Sequence, residues 1–175
     1  MLVPYIEERA ESLLSKFNLL STPIDVLKCA DLLGINVQAA ELEPEISGVF
    51  IKKENVPYIR YNSIEIPARQ RFTIAHEIGH FLLHAKSNSL FIEKTEKIMY
   101  RNTQSSTGEL LKEREANAFA AAFLMPRKLV KEAIAALPDY EHENIVHFLS
   151  LKFKVSEAAM AIRLSNMGML EYGHF

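Results

Sequence analysis

The chain has 175 residues, 49% of them hydrophobic and 24% charged, with a formal net charge of -2. That is enough chain to bury a core, and the balance carries no global positive field for nucleic acid or an anionic membrane. Cys29 is the single cysteine, which excludes an internal disulfide and a cysteine zinc cage.

The N-terminus, "MLVPYIEERAESLL", has early acidic residues and lacks the pattern of a signal peptide. No apolar run reaches membrane-spanning length, so a cytoplasmic setting is expected. Residues 4–20 place Tyr5, Ile6, Leu13, Leu14 and Phe17 at helical spacing. In "STPIDVLKCADLLGI", Thr22 reads as an N-cap, Pro23 as the first helical residue and Gly34 as the stop. Cys29 falls on the apolar face there and is expected in the core.

The period then changes. Residues 47–62, "SGVFIKKENVPYIRYN", predict a β-hairpin turning within "KKEN". Pro57 lacks an N–H and belongs at a strand start or a sheet edge. Such a hairpin could offer an edge strand to an extended peptide. A long helix over about 67–85 opens at Pro67. Residues 86–109 read as a connection that could act as a lid, with a short strand at "SLFIE". A second long helix covers about 109–125, and Pro126 opens another. The tail predicts two short helices, the last capped by Ser156 and ending near Gly168.

Within the first long helix, "FTIAHEIGHFLLH" sets His76, Glu77 and His80 in an apolar run. Positions i and i+4 share a helix face, so His76 and His80 can bind one tetrahedral zinc. Glu77 lies about 100° around the helix and can approach a water without being a ligand. Burying an ionised glutamate costs several kcal/mol unless a cation compensates it, so the surrounding apolar residues favour a metal. The bland alternative is a pair of core histidines satisfied by backbone or carboxylate groups.

A catalytic zinc requires a third protein ligand and an open position. In "KEREANAFAAAFLMP", Glu113 and Asn117 share a face at i, i+4. They could supply a carboxylate to the metal and an amide oxygen to a histidine N–H. The run of alanines would let this helix approach another backbone closely. Glu115 is the alternative ligand. His84 continues the i, i+4 series, but a rise of about 1.5 Å per residue puts it about 12 Å along the axis from His76. It is expected to be structural or to support a ligand. His142, His147 and His174 lack ligand spacing and are expected at the surface or in packing.

"RQRFTIAHEIGHFLLH" followed by "EREANAFAAAFLMP" resembles the ImmA/IrrE family of metallopeptidases, over residues 1–135 with a family-like tail. The resemblance implies an α+β, zincin-like fold, a minimal gluzincin with an active-site helix, a ligand-bearing helix and a small antiparallel sheet. It implies a metallopeptidase domain over 1–135 and a small helical C-terminal subdomain over 136–175 packed on it. It also implies His76, His80 and Glu113 as zinc ligands, Glu77 as general base and Asn117 as partner of a ligand histidine. The implied substrate is a helix-turn-helix repressor of stress, phage, mobile-element or toxin–antitoxin genes. Tyr58, Tyr61, Tyr100 and Arg101 are candidate donors to the oxyanion, without a means of choosing among them.

A second reading treats the chain as a non-hydrolytic regulatory module that uses residues 153–170, which resemble a helix-turn-helix second helix. Lys152, Lys154 and Arg163 are the only basic residues from 141 to 171, against four glutamates. That is a poor phosphate-contacting surface. Met160, Leu164 and Met167 instead suggest a packing face, and no direct nucleic-acid contact is expected.

Overall fold

The computed structural model describes residues 3–84, 90–94, 107–138 and 144–170. Among them are seven helices and one four-stranded sheet. Helix α1 (Val3–Lys16) buries Ile6, Ala10 and Leu14, one stripe at i, i+4, i+8. It stops earlier than its apolar pattern suggests. Asn18 adopts a left-handed φ of 56°, which asparagine tolerates well.

Helix α2 (Val26–Leu32) corrects the expected cap. The Thr22–Pro23 bond is cis and precedes the helix, and the Asp25 side chain accepts the Lys28 N–H at 2.9 Å. An aspartate at the cap satisfies an otherwise orphan helical donor, which Thr22, three residues upstream, does not do. Gly34 ends the helix as expected, at φ +71°.

The sheet comprises β1 (Asn36–Ala40), β2 (Ile46–Lys53), β3 (Val56–Asn62) and β4 (Leu90–Lys94), in the order β1-β3-β2-β4. The β2–β3 hairpin turns at Glu54 and Asn55, both with positive φ, as a two-residue primed turn requires. The sheet is mixed rather than antiparallel: β1 pairs parallel with β3, from Asn36↔Tyr58 to Ala40↔Asn62. Pro57 sits one residue before that ladder begins, so its missing N–H costs no bond to β1. Both hairpin strands are interior, so they offer no edge to a peptide. The edges among the described residues are β1 and β4. Buried Asn62 closes this region by donating to the carbonyl of Ile46 at 3.0 Å and accepting from Leu42 and Ile64 N–H.

Helix α3 (Pro67–His84) lies between the sheet and helix α4 (Thr107–Leu124). Phe81 meets Phe50 of β2 with ring centroids 5.8 Å apart, while Phe119 and Phe123 stack within α4. Helix α5 (Arg127–Ala135) follows directly after Pro126. Helices α6 (Ile145–Phe153) and α7 (Glu157–Asn166) close the order, with Ser156 capping α7 through the Ala159 N–H. Buried residues from Ile6 to Leu164 form one apolar cluster. No helix among the described residues is long and apolar enough to cross a membrane.

The tail is tied to the front of the chain by charge. Arg163 is 5% exposed; it donates to Glu7 of α1 and to the Met125 carbonyl. Arg127 also donates to Glu7. Met160 and Leu164 are fully buried beside it. The Arg71 guanidinium joins the carbonyls of Lys154 and Ile24. Burial pushes the Glu7 carboxyl up, but Arg163 and Arg127 outweigh it and hold the group below its ordinary value.

Glu7 therefore contributes stability that is complete above its ordinary carboxyl range and is lost as pH falls through its depressed folded value. Glu7→Gln should destabilise the fold by about 2 kcal/mol at neutral pH, less than a fully buried pair because Glu7 keeps some solvent contact. Urea unfolding at neutral and acidic pH should show the gap between wild type and variant closing on acidification. A gap that is absent, or constant with pH, would contradict the assignment.

Candidate active site

Two helices build the site. His76 and His80 are one turn apart on α3 and each 1% exposed, and Glu113 and Asn117 are one turn apart on α4. The helices meet closely where Gly79 of α3 faces Ala116 and the Phe119 ring of α4. A Cβ built on Gly79 would lie 3.3 Å from the Cα of Ala116 and 3.1 Å from the Phe119 ring. The alanines of α4 thus permit the close approach expected of them, against a glycine.

That approach brings one ligand-type atom from each of His76, His80 and Glu113 within 4.8 Å of the others. His76 Nε2 and His80 Nε2 are 2.9 Å apart, and each is 3.2 Å from a Glu113 carboxylate oxygen. His76 Nδ1 lies 2.9 Å from Asn117 Oδ1, which can only accept. Nδ1 therefore carries the proton, and Nε2 turns a lone pair toward the other two groups. Electron pairs aimed at one point repel unless a shared proton or a metal cation sits among them. A regular tetrahedron with bonds of 2.0–2.1 Å has edges of about 3.3 Å, close to the spacings found. The N₂O donor set and its spacing both fit a metal ion.

Charge agrees with geometry. Burial pushes the Glu113 carboxyl up, but when His76 and His80 are protonated their hydrogen bonds and charge dominate and bring it to about 2. Glu113 is thus an anion facing two imidazoles. Glu77 is fully buried on the same helix and is not one of the three clustered groups.

Glu115, the alternative ligand, faces elsewhere: its Oε2 is 3.4 Å from His84 Nε2. His84 is 8% exposed, and burial and His80 push its imidazole below its usual value against the opposing pull of Glu115. It stands outside the trio, as the helix rise demands. His147 is at the surface beside Glu157, at 2.7 Å, while His142 and His174 lie outside the described residues. Burial, with Asp25 nearby, raises the Cys29 thiol to about 12, that of an inert core residue. Tyr58 and Tyr61 are half-buried on β3 and do not line the cleft over the trio. Tyr100 and Arg101 lie outside the described residues, as does most of the 86–109 connection apart from β4.

The cleft has a volume of about 1120 Å³ and runs from His76, Glu113 and Asn117 toward α1 and α7. Its α1 wall, including Glu7, was not apparent from the motif-bearing helices. The signal available was the alternation of glutamates with apolar residues in "PYIEERAESLL", which reads equally well as an ordinary solvated face.

Residues 30–165 match the peptidase family described as the IrrE N-terminal-like domain. The chain belongs to the ImmA/IrrE family. The match begins later and ends further on than the 1–135 span of resemblance. Among its relatives, "uncharacterized immunity region protein 2" of Bacillus phage phi105 is 30% identical over 131 residues, covering 74% of this chain and 75% of that protein. Metallopeptidase ImmA of Bacillus subtilis is 26% identical over 99 residues, 57% of this chain and 51% of that protein. A solved structure, a Mycobacterium tuberculosis transcriptional regulator, shares the fold with a TM-score of 0.61 at 20% identity, over 91% of this chain and 46% of its own. The chain thus spans about half the length of two of these three proteins. Membership in a metallopeptidase family implies a metal ion, and His76, His80 and Glu113 form a group able to hold one.

Gly79→Ala tests the packing that brings the trio together. The added methyl meets backbone as well as a ring, so a few tenths of an ångström must come from helix separation. The variant should lose about 1–3 kcal/mol of stability and bind metal more weakly than wild type. Thermal melting and a chelator competition would measure both. Unchanged metal affinity would show that helix separation does not set the ligand geometry.

Proposed function

We propose that this chain is a zinc-dependent endopeptidase with a thermolysin-like, minimal gluzincin site. His76, His80 and Glu113 hold the metal, Glu77 is the general base and Asn117 orients His76. The observation that carries the reading is the mutual spacing of the two imidazoles and the carboxylate, with a buried glutamate beside them. A bound zinc would supply Lewis acidity to the scissile carbonyl and lower the pKa of a water. Glu77 takes a proton from the attacking water as its oxygen bonds to the carbonyl carbon. The same carboxyl returns that proton to the amine nitrogen as the C–N bond breaks. Asn117 keeps the His76 ring in one tautomer and orientation throughout.

The substrate is a protein, and we infer a helix-turn-helix repressor in a phage, mobile-element, stress or toxin–antitoxin setting. The immunity-region name of the phage relative supports a phage context. A cytoplasmic location follows from such a substrate. Residues 136–175 serve as a small helical subdomain that closes the domain. Engagement of Arg163 by Glu7 supports packing over DNA contact for this segment, because it removes one of the segment's few cations from solvent.

Metal analysis and repressor cleavage together test the assignment. Wild type should carry near-stoichiometric zinc, His80→Ala should lose it, and Glu77→Gln should keep zinc but lose cleavage of a repressor encoded next to this chain. Metal-free wild type from careful preparation, or undiminished cleavage by Glu77→Gln, would overturn the corresponding role.

A further inference from the structure

The cleft is larger than hydrolysis at three ligands requires. Its volume of about 1120 Å³ exceeds the range of about 300–1,000 Å³ usual for small-molecule sites. It continues away from the trio between α1 and α7, with Ala118, Ala121 and Ala159 among its small lining residues. Two large aliphatic side chains that line it, Ile66 and Ile162, are 66% and 62% exposed. With Phe72, Met125 and Val155 they make the lining mainly apolar, a surface that apolar side chains of a partner could cover.

The charges along the cleft separate into two groups. Glu7 is tied to Arg163 and Arg127, Arg69 to Ser47 and Glu65, and Glu113 to the two histidines. Glu8 and Glu11 remain. They line the cleft on successive turns of α1, and neither has an ion-pair or hydrogen-bond partner among the described residues. The uncompensated charge of the wall is therefore negative, while its rim and floor are aliphatic. This combination disfavours a nucleic-acid backbone and suits a peptide with cationic and aliphatic side chains.

We propose that the α1–α7 cleft is an extended substrate-binding site for a protein segment that carries lysine or arginine among aliphatic residues, with Glu8 and Glu11 selecting the cationic side chain. The proposal rests on the peptidase reading and adds the substrate class to it. Aliphatic side chains lie along Ile66, Ile162 and the alanines, and supply affinity. The two glutamates supply the preference for charge.

The test uses the full chain loaded with zinc, in the Glu77→Gln background to prevent turnover. Two fluorescent twelve-residue probes share a leucine- and alanine-rich sequence, one with a Lys-x-x-Lys pair and the other with Gln-x-x-Gln. Fluorescence polarisation should show the lysine probe binding about tenfold more tightly, the sum of two exposed ion pairs, with the preference shrinking as salt is raised. Adding Glu8→Gln and Glu11→Gln should bring the ratio below about twofold, with zinc content and melting temperature retained. Ile162→Gln should weaken both probes and leave the ratio intact. Equal binding of the two probes, or a ratio that survives loss of both glutamates, would overturn the proposal. Self-association abolished by Ile162→Gln, with neither probe bound, would overturn it in favour of a second copy of the chain. Failure of the peptidase reading looks different: the charge preference persists, but wild type cleaves nothing. Cleavage by wild type without any charge preference would leave the peptidase standing and remove the cleft assignment.

Discussion

The contact of Gly79 with Ala116 and Phe119 is the constraint on which the molecule depends. It sets the separation of α3 and α4, and that separation decides whether one carboxylate can reach two imidazoles. A side chain at 79 would press on the opposing backbone and force it back by a few tenths of an ångström. The sheet holds the other side of α3, where Phe81 packs on Phe50. Between these two contacts the helix has little freedom to shift, because close-packed interiors transmit displacement rather than absorb it. The ligand geometry is thus a consequence of apolar packing several residues removed from any charge.

A helix so deeply buried should not carry His76, Glu77, His80 and His84, all below a tenth exposed. Paired polar groups make it possible. Asn117 meets the outer nitrogen of His76, Glu113 faces the inner nitrogens, and Glu115 serves His84. These three groups lie within five residues of α4, so one helix pairs with the histidines of the other. At the far end of the cleft a separate network joins Glu7, Arg127 and Arg163. It fastens α7 against α1 and leaves the next turns of α1 as an acidic wall. Packing makes the metal centre, and ion pairing shapes the approach to it.

How much of this could be read beforehand depends on sequence separation. The pairing of His76 with His80, and of Glu113 with Asn117, follows from the turn of a helix. So do the Ser156 cap and the stop at Gly34. The exclusion of His84 needed only the helix rise. The parallel β1–β3 pairing joins segments separated by a whole strand, and no local pattern encodes it. Together with the pairing of β4 on β2, it is also why both hairpin strands lie inside the sheet, against the expectation of a free edge. The α2 cap is Asp25 rather than Thr22, because it is the Asp25 carboxylate that reaches the Lys28 N–H. The sequence counted Arg163 only as one of three basic residues in the tail, because the carboxylate it pairs with lies 156 positions away. The candidate oxyanion donors remained unranked because tyrosines carry no spacing signature for that role.

The central claim is that α3 and α4 together present two imidazoles and one carboxylate to a single metal ion. X-ray absorption spectroscopy of the zinc-loaded chain tests it most directly. Two histidine nitrogens with oxygen donors completing the shell are expected. A third imidazole in the wild-type shell would bring His84 into the site and contradict the geometry described here.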